Sequence, residues 1–141
     1  MADRRGNITT AIVCEDIRQE QSNQSTLVGV YAGDIVTREF PASIRVAVYI
    51  EYVIASPAEH DVRFRISYQG AARHEIMDAR MRVPGTAKDG IAFALPATSL
   101  RINEAGSLIV EASFDDGQEW VPLIAKRVEK GAVPSARGSV N

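Results

Sequence analysis

The chain has 141 residues, of which 45% are hydrophobic and 24% charged, and this composition indicates one globular domain and not a disordered segment. Sixteen basic residues against eighteen acidic ones give a formal net charge of −2 and a pI near 5.7. The overall basic excess that non-specific nucleic-acid binding requires is therefore missing. A single cysteine, Cys14, excludes an intrachain disulfide and a thiolate metal cluster.

The opening residues 1–7 are polar and lack the apolar core of a signal peptide. No run approaches the roughly 20 apolar residues that a membrane-spanning helix needs. Together with the lone cysteine, these features predict a reducing cytoplasm, either bacterial or that of an infected cell, and no membrane partner.

Alternation of apolar and polar residues is the dominant pattern. Taken in chain order, the predicted strands cover residues 8–14, 26–31, 35–38, 44–54, 62–68, 77–83, 91–95, 100–102, 108–114 and 119–125. Within the first strand, Ile8, Ile12 and Cys14 share the phase that points into the core, and the pair Glu15-Asp16 breaks the run. Because strand 44–54 has a mixed outer face, we expect it in the middle of its sheet.

The clearest alternation lies at 62–68, where Arg63, Arg65 and Ser67 separate four apolar side chains. Farther along, Pro96 interrupts a strand, and Asp115-Asp116-Gly117 predicts a hairpin turn because these residues tolerate positive φ. The pattern predicts an all-β fold, a two-sheet antiparallel sandwich of immunoglobulin-like or related Greek-key topology, with a closed barrel as the alternative. Residues 1–126 form the domain and residues 127–141 a flexible tail.

Catalytic and metal-binding residues do not form a recognisable set. Cys14 reads as a small core residue, and His60 and His74 lie in or beside loops without a nucleophile nearby. Aspartate in the Asp115-Asp116 turn is explained by its backbone preferences more readily than by calcium binding. The sequence therefore predicts no enzyme, no metal site and no cofactor.

Arginines occupy the polar phase of two strands that are joined by a short connection. The candidate anion or partner face consists of Arg63, Arg65, Arg80 and Arg82, continued by Arg45 if its strand is adjacent. Such a row suits phosphate or another small anion, an acidic glycan, nucleic acid or an acidic protein surface. Single-stranded nucleic acid is disfavoured because no aromatic residues are interleaved for base stacking. The alternative is a solvated face whose arginines pair with Asp78, Glu75 and Glu51 across strands.

Two further residues are candidates for an edge or an interface. Trp120 suits a protein hot spot or, with Tyr49, a sugar platform, although one tryptophan in a β domain is more often a structural plug. Pro122 predicts an edge strand or a bulge because proline cannot donate to a ladder.

The segments TTAIVCEDIRQE (residues 9–20) and TLVGVYAGDI (residues 26–35) resemble a family of small bacterial and phage-associated β-sandwich proteins of unknown function. The resemblance implies a stand-alone sandwich in the cytoplasm and carries over no catalytic or binding residue.

By elimination, we expect a non-enzymatic module that binds another protein or copies of itself. A virion or tail accessory or structural subunit is one concrete version, in which the protein is incorporated in a virion. The alternative is a ligand-binding module that recognises a glycan or small anion through the arginine-lined sheet face.

Overall fold

The computed structural model describes residues 5–131, and these residues form nine strands and no helix. No segment within this range is a helix with the length and apolar character that crossing a bilayer would take. The strands are β1 (Gly6–Gln19), β2 (Ser25–Val30), β3 (Ile35–Thr37), β4 (Ala42–Ile54), β5 (His60–Gln69), β6 (Arg73–Val83), β7 (Gly90–Ile102), β8 (Gly106–Ser113) and β9 (Val121–Lys130).

The strands make two packed sheets, which confirms the predicted all-β sandwich. The first sheet has the order β2-β1-β4-β7, and the second has the order β3-β9-β8-β5-β6. All neighbouring strands are antiparallel except β3 and β9, which are parallel. As expected, the strand that contains residues 44–54 is flanked on both sides, by β1 and β7.

Between the sheets lies one hydrophobic core, to which alternate residues of the strands contribute. Its largest side chains shielded from solvent are Tyr52, Phe64, Ile50, Ile66, Leu95 and Leu108. Phe93 packs against both Phe64 and Tyr52, with ring centroids 5.5 and 6.1 Å apart. Aromatic packing of this kind links the middle of β4 and β7 to β5 across the two sheets.

A bulge in β1 changes the predicted phase of the first strand. Ile8 is opposite Tyr52 and Thr10 is opposite Glu51, so Thr9 is an extra residue in β1. Beyond the bulge, Val13 faces the core, and Cys14 faces outward beside Ala47. The prediction that Ile12 and Cys14 point into the core with Ile8 is therefore wrong, although Cys14 is fully buried.

The strand also does not break at Glu15-Asp16. Pairing with β2 continues to Gln19, so a local run of charge is overridden by the ladder of hydrogen bonds on the neighbouring strand. Likewise, Pro96 does not interrupt its strand. β7 is an edge strand with a register shift opposite Val46 and Val48, and this irregularity accommodates the proline.

The domain extends beyond the predicted boundary at residue 126. β9 continues to Lys130, and its last three residues, 128–130, pair with β3. Val128 is only 1% exposed and belongs to the core. Residues 127–130 are thus part of the second sheet and not of a tail, and the rest of the predicted tail from residue 132 lies outside the described residues.

The burial of Val128 can be tested by mutation. Val128→Ala should lower the free energy of unfolding by about 2 kcal/mol, because two buried methyl groups are lost and a small cavity remains. Arg127→Ala, which truncates the exposed neighbour, should change it by less than about 0.5 kcal/mol. Urea unfolding of both variants measures the difference, and equal stability would mean that this segment does not belong to the core.

Candidate functional site

The outer face of the second sheet carries the predicted arginine row. Arg63 lies directly opposite Arg80, and Arg65 lies opposite Asp78 on β6 and Glu111 on β8. Arg82 faces Asp61 one pair farther along. The alternation in β5 and β6 therefore places these four arginines together as predicted. We call this surface, with the addition of Arg73 on β6, the arginine face.

A carboxylate pairs with each arginine of this face. The ion pairs are Arg63–Asp78 at 2.5 Å, Arg65–Glu111 at 2.9 Å, Arg80–Asp116 at 2.6 Å, Arg82–Glu59 at 2.6 Å and Arg73–Glu111. Arg63 donates a hydrogen bond to Asp78 and Arg82 donates one to Glu59, and each bond is the largest cause that raises the pKa of its guanidinium. Of the predicted partners, Asp78 takes this role, whereas Glu75 and Glu51 do not.

The like charges of Arg63 and Arg80 would repel across the strands without a bridging group. The carboxylate of Asp116 is this bridging group, because its Oδ1 lies 2.6 Å from Arg80 Nη2 and 3.7 Å from Arg63 Nη1. Asp116 and Gly117 have φ values of 59° and 88°, which confirms the predicted turn between β8 and β9. A side chain at Gly117 would lie 2.4 Å from Arg63 Nη1, so glycine lets the turn fold onto the arginines.

Trp120 also packs on the arginine face. The guanidinium carbon of Arg65 lies 4.0 Å from the centroid of the Trp120 ring, and that of Arg63 lies 5.3 Å from it. Both distances fall in the range of cation–π interactions. Tyr49 lies on the outer face of the other sheet, so the two aromatic residues do not form a common platform.

Arg45 does not continue the row. It belongs to β4 of the first sheet, where it pairs with Ser99 on β7, so the condition that its strand be adjacent to the other arginines is not met. The five arginines of the arginine face are matched by Glu59, Asp61, Asp78, Glu111 and Asp116. This charge balance gives no support to recognition of a glycan or small anion there.

A cleft of about 470 Å³ opens beside the arginine face, and its lining includes Tyr52, His60 and Arg5. His60 Nδ1 donates to the carbonyl oxygen of Ala58 at 2.6 Å, and in the neutral ring Nε2 then accepts from the Tyr52 hydroxyl at 2.7 Å. Both ring nitrogens of His60 are engaged. Among residues 5–131, no serine, threonine or cysteine side chain hydrogen-bonds to either histidine.

Cys14 has the environment of an unreactive thiol. Burial is the largest cause that raises its pKa, which keeps the sulfur protonated, and Sγ donates to the carbonyl oxygen of Asp16 at 3.4 Å. Within the described range, no three His, Cys, Asp or Glu side chains converge on a position where they would hold a metal ion.

Pro122 lies on a free edge and at a bulge, so both predicted alternatives apply. The register of β8 and β9 shifts between Val110 and Glu111, which leaves Leu123 as the extra residue. Residues 121–127 have no second strand beside them in the described part of the chain. Lys126 pairs with buried Leu108 and therefore lies on the inward side of its strand. This inward lysine, the proline and the bulge all oppose the addition of another strand at this edge.

The outer face of the first sheet has the opposite character, of which the sequence predicted only the mixed outer side of strand 44–54. Its central side chains, which we call the apolar face, are Ile12, Val30, Ala47, Tyr49, Val53, Ala92 and Ala94. Val30 and Val53 are 50% and 47% exposed. In residues 5–131, the third large apolar side chain with comparable exposure is Val36, at 40%, on β3 of the second sheet. Alternation places Ala47, Tyr49 and Val53 on this face, but it could not reveal the bulge at Thr9 that turns Ile12 outward.

The stability of the arginine face should depend on Glu111. Its carboxylate forms ion pairs with Arg65 and Arg73, and its side chain is only 11% exposed. We expect Glu111→Gln to lower the free energy of unfolding by about 1–3 kcal/mol, because two guanidinium groups lose their charged partner. The control Glu59→Gln removes a carboxylate that is 60% exposed and should cost below about 1 kcal/mol. Chemical unfolding checks both, and an equal effect would contradict the ranking by burial.

Asp115 should contribute to acid sensitivity. Its carboxylate accepts a hydrogen bond from the backbone N–H of Glu119 at 2.9 Å and another from the Ser113 hydroxyl at 2.8 Å. These bonds lower the pKa of Asp115 below 3.8, and the bond from Glu119 contributes most. A group whose pKa is lower in the folded state stabilises the fold when the pH is above its pKa in the unfolded state. This stabilisation is lost as the pH falls through its pKa in the folded state. We expect Asp115→Asn to make stability less dependent on pH below about 4. Thermal unfolding across acidic pH is the measurement, and parallel curves would refute the assignment.

No protein-family model matches the chain, and a search of curated proteins finds no significant match. The resemblance of residues 9–35 to a bacterial and phage-associated family therefore stays a prediction that rests on those residues.

Proposed function

We propose that this protein is a non-enzymatic assembly module that binds a protein surface through the apolar face of its first sheet. One observation carries the proposal: two of the three large apolar side chains that are substantially exposed in residues 5–131, Val30 and Val53, lie on this single face. Scattered exposed apolar residues are ordinary, but a contiguous set on a flat sheet is typical of an interaction site.

Charge distribution supports the same surface. The second sheet covers its outer face with paired arginines and carboxylates, and such a face is satisfied without a partner. On the apolar face, Tyr49 donates to Glu51 at 3.0 Å, and small residues such as Ala92 and Ala94 surround them. Burying small and aromatic side chains costs little desolvation, so this face is the better docking surface.

The fold suits such a role. The order β9-β8-β5-β6 is that of the G, F, C and C′ strands of immunoglobulin domains, and the pair β4-β7 corresponds to B and E. We therefore include an immunoglobulin-like topology in the proposal. A cytoplasmic protein that becomes an accessory or structural subunit of a virion is the version we favour.

Three matched lysine substitutions test the surface. Val30→Lys and Val53→Lys place a charge on the apolar face, whereas Val36→Lys places the same charge on a comparably exposed valine of the other sheet. We expect the first two to abolish association and the third to leave it unchanged, because only the first two would bury an unpaired ammonium group.

Two readouts cover both kinds of partner. Sedimentation velocity of the purified full chain measures self-association, and affinity capture from lysate of the source cells measures binding to other proteins. Circular dichroism confirms that each variant is folded. The proposal fails if the three variants behave alike, or if the wild-type chain associates in neither experiment.

A further inference from the structure

We infer that the partner of the apolar face is a second copy of this chain, related by a two-fold axis that crosses the strands at the level of Val48. The inference rests on the proposed function, since it names the occupant of the same surface. It is carried by the order of the charged side chains along β4, which is complementary to itself about this level.

On β4, charged and apolar residues are placed symmetrically about Val48. A two-fold axis that lies in the interface and runs across the strands makes each β4 antiparallel to the β4 of the other copy. Arg45 and Glu51 are equally far from Val48, so each Arg45 faces the partner copy's Glu51 position. Tyr49 lies one residue from Val48 and faces the partner copy's Ala47 position, where Ala47 itself has no exposed surface.

The same axis places the two copies of β1 over each other. Val13 is the direct partner of Val48, so the axis passes at its level as well. It places Ile12 of one copy over the Cys14 position of the other, where Cys14 itself is fully covered by its own chain. The two facing sheets then lie at the usual spacing of about 10 Å.

Both charges are available for an intermolecular pair. Within residues 5–131, the Arg45 guanidinium makes no ion pair or side-chain hydrogen bond, and its residue contributes only its carbonyl oxygen, which accepts from Tyr31 at 2.8 Å. The Glu51 carboxylate accepts only from Tyr49 in the same range. Because the contact is symmetric, a dimer contains this pair twice.

The size of the face sets the expected strength. Four strands spaced by about 4.8 Å and a length from Arg45 to Val53 of about 26 Å give roughly 500 Å² per copy. The total of about 1,000 Å² is at the lower limit for a specific interface, so we expect a weak dimer that forms reversibly with concentration.

A charge-reversal cycle tests the two-fold geometry. Arg45→Glu and Glu51→Arg each place two like-charged pairs in the dimer and should raise its dissociation constant about tenfold. The double variant Arg45→Glu/Glu51→Arg restores both attractions and should return within about threefold of the wild-type value, as a double-mutant cycle requires for a direct pair. Sedimentation equilibrium of the full chain provides the dissociation constants.

The outcomes separate this inference from the proposed function. If Val53→Lys weakens association but the single reversals do not, or the double variant fails to recover, the face is used in another geometry and the two-fold dimer is wrong. If the wild-type chain remains monomeric while capture of another protein depends on Val53, the second copy is excluded and the docking surface stands.

Arg45→Lys provides the control that preserves charge, and it should leave the dissociation constant within about threefold of the wild-type value. If a reversal variant fails to fold by circular dichroism, the neutral cycle of Arg45→Gln, Glu51→Gln and their combination replaces it. We then expect the two single effects to be non-additive, and additive effects would overturn the pairing.

Discussion

The register between β1 and β4 is the constraint on which the two surfaces of the first sheet depend. Side chains of a strand alternate with a period of two, so one inserted residue exchanges the inner and outer positions of everything that follows. Thr9 is that residue. It leaves Ile8 in contact with the core beside Tyr52, and it sends Val13 inward and Ile12 outward. The shift thereby adds Ile12 to the outer face, next to Tyr49 of β4.

The two outer faces meet solvent in different ways. On the second sheet, the pairing of β5 with β6 sets Arg63 opposite Arg80, and the turn after β8 returns Asp116 to lie between them. Neighbouring acids neutralise that face within the chain. The first sheet has small and apolar residues at the corresponding positions, so nothing within the described chain compensates for the exposed area of Val30 and Val53. Burying exposed apolar surface against a partner lowers the free energy, so the apolar face of the first sheet has more to gain from a contact than the arginine face.

Strand positions and the arginine row could be predicted from the sequence because both depend on local alternation. Residues 62–68 fall inside β5, and four of the five predicted arginines share one face. The partners could be predicted only in part. Asp78 lies on the next strand of a hairpin, whereas Glu111 reaches Arg65 through the pairing of β5 with β8, which is distant in sequence. The position of Arg45 likewise depends on sheet order, because the alternation of side chains gives the face on which a residue lies but not the sheet to which its strand belongs.

The errors at the two ends of the chain have the same origin. Thr9 is β-branched and fits an ordinary strand, so no local signal marks the bulge there. At the other end, residues 127–130 show no alternation, and their strand exists because β3 lies alongside and Val128 enters the core. In both cases a pairing between distant segments overrides the local pattern, and a single sequence does not contain that pairing in readable form.

The edges and the faces of a β-sheet lead to different kinds of assembly, and in this chain the two are not equally open to a partner. The free part of β9 carries Pro122, a bulge and Lys126, and the outer strand β6 carries many charged residues, so these two edge segments of the second sheet resist further strands. Edge pairing can continue without limit, whereas a symmetric contact between two faces uses each face once and closes as a dimer. A chain that blunts these edges and leaves one sheet face apolar is therefore suited to an assembly step that ends at two copies.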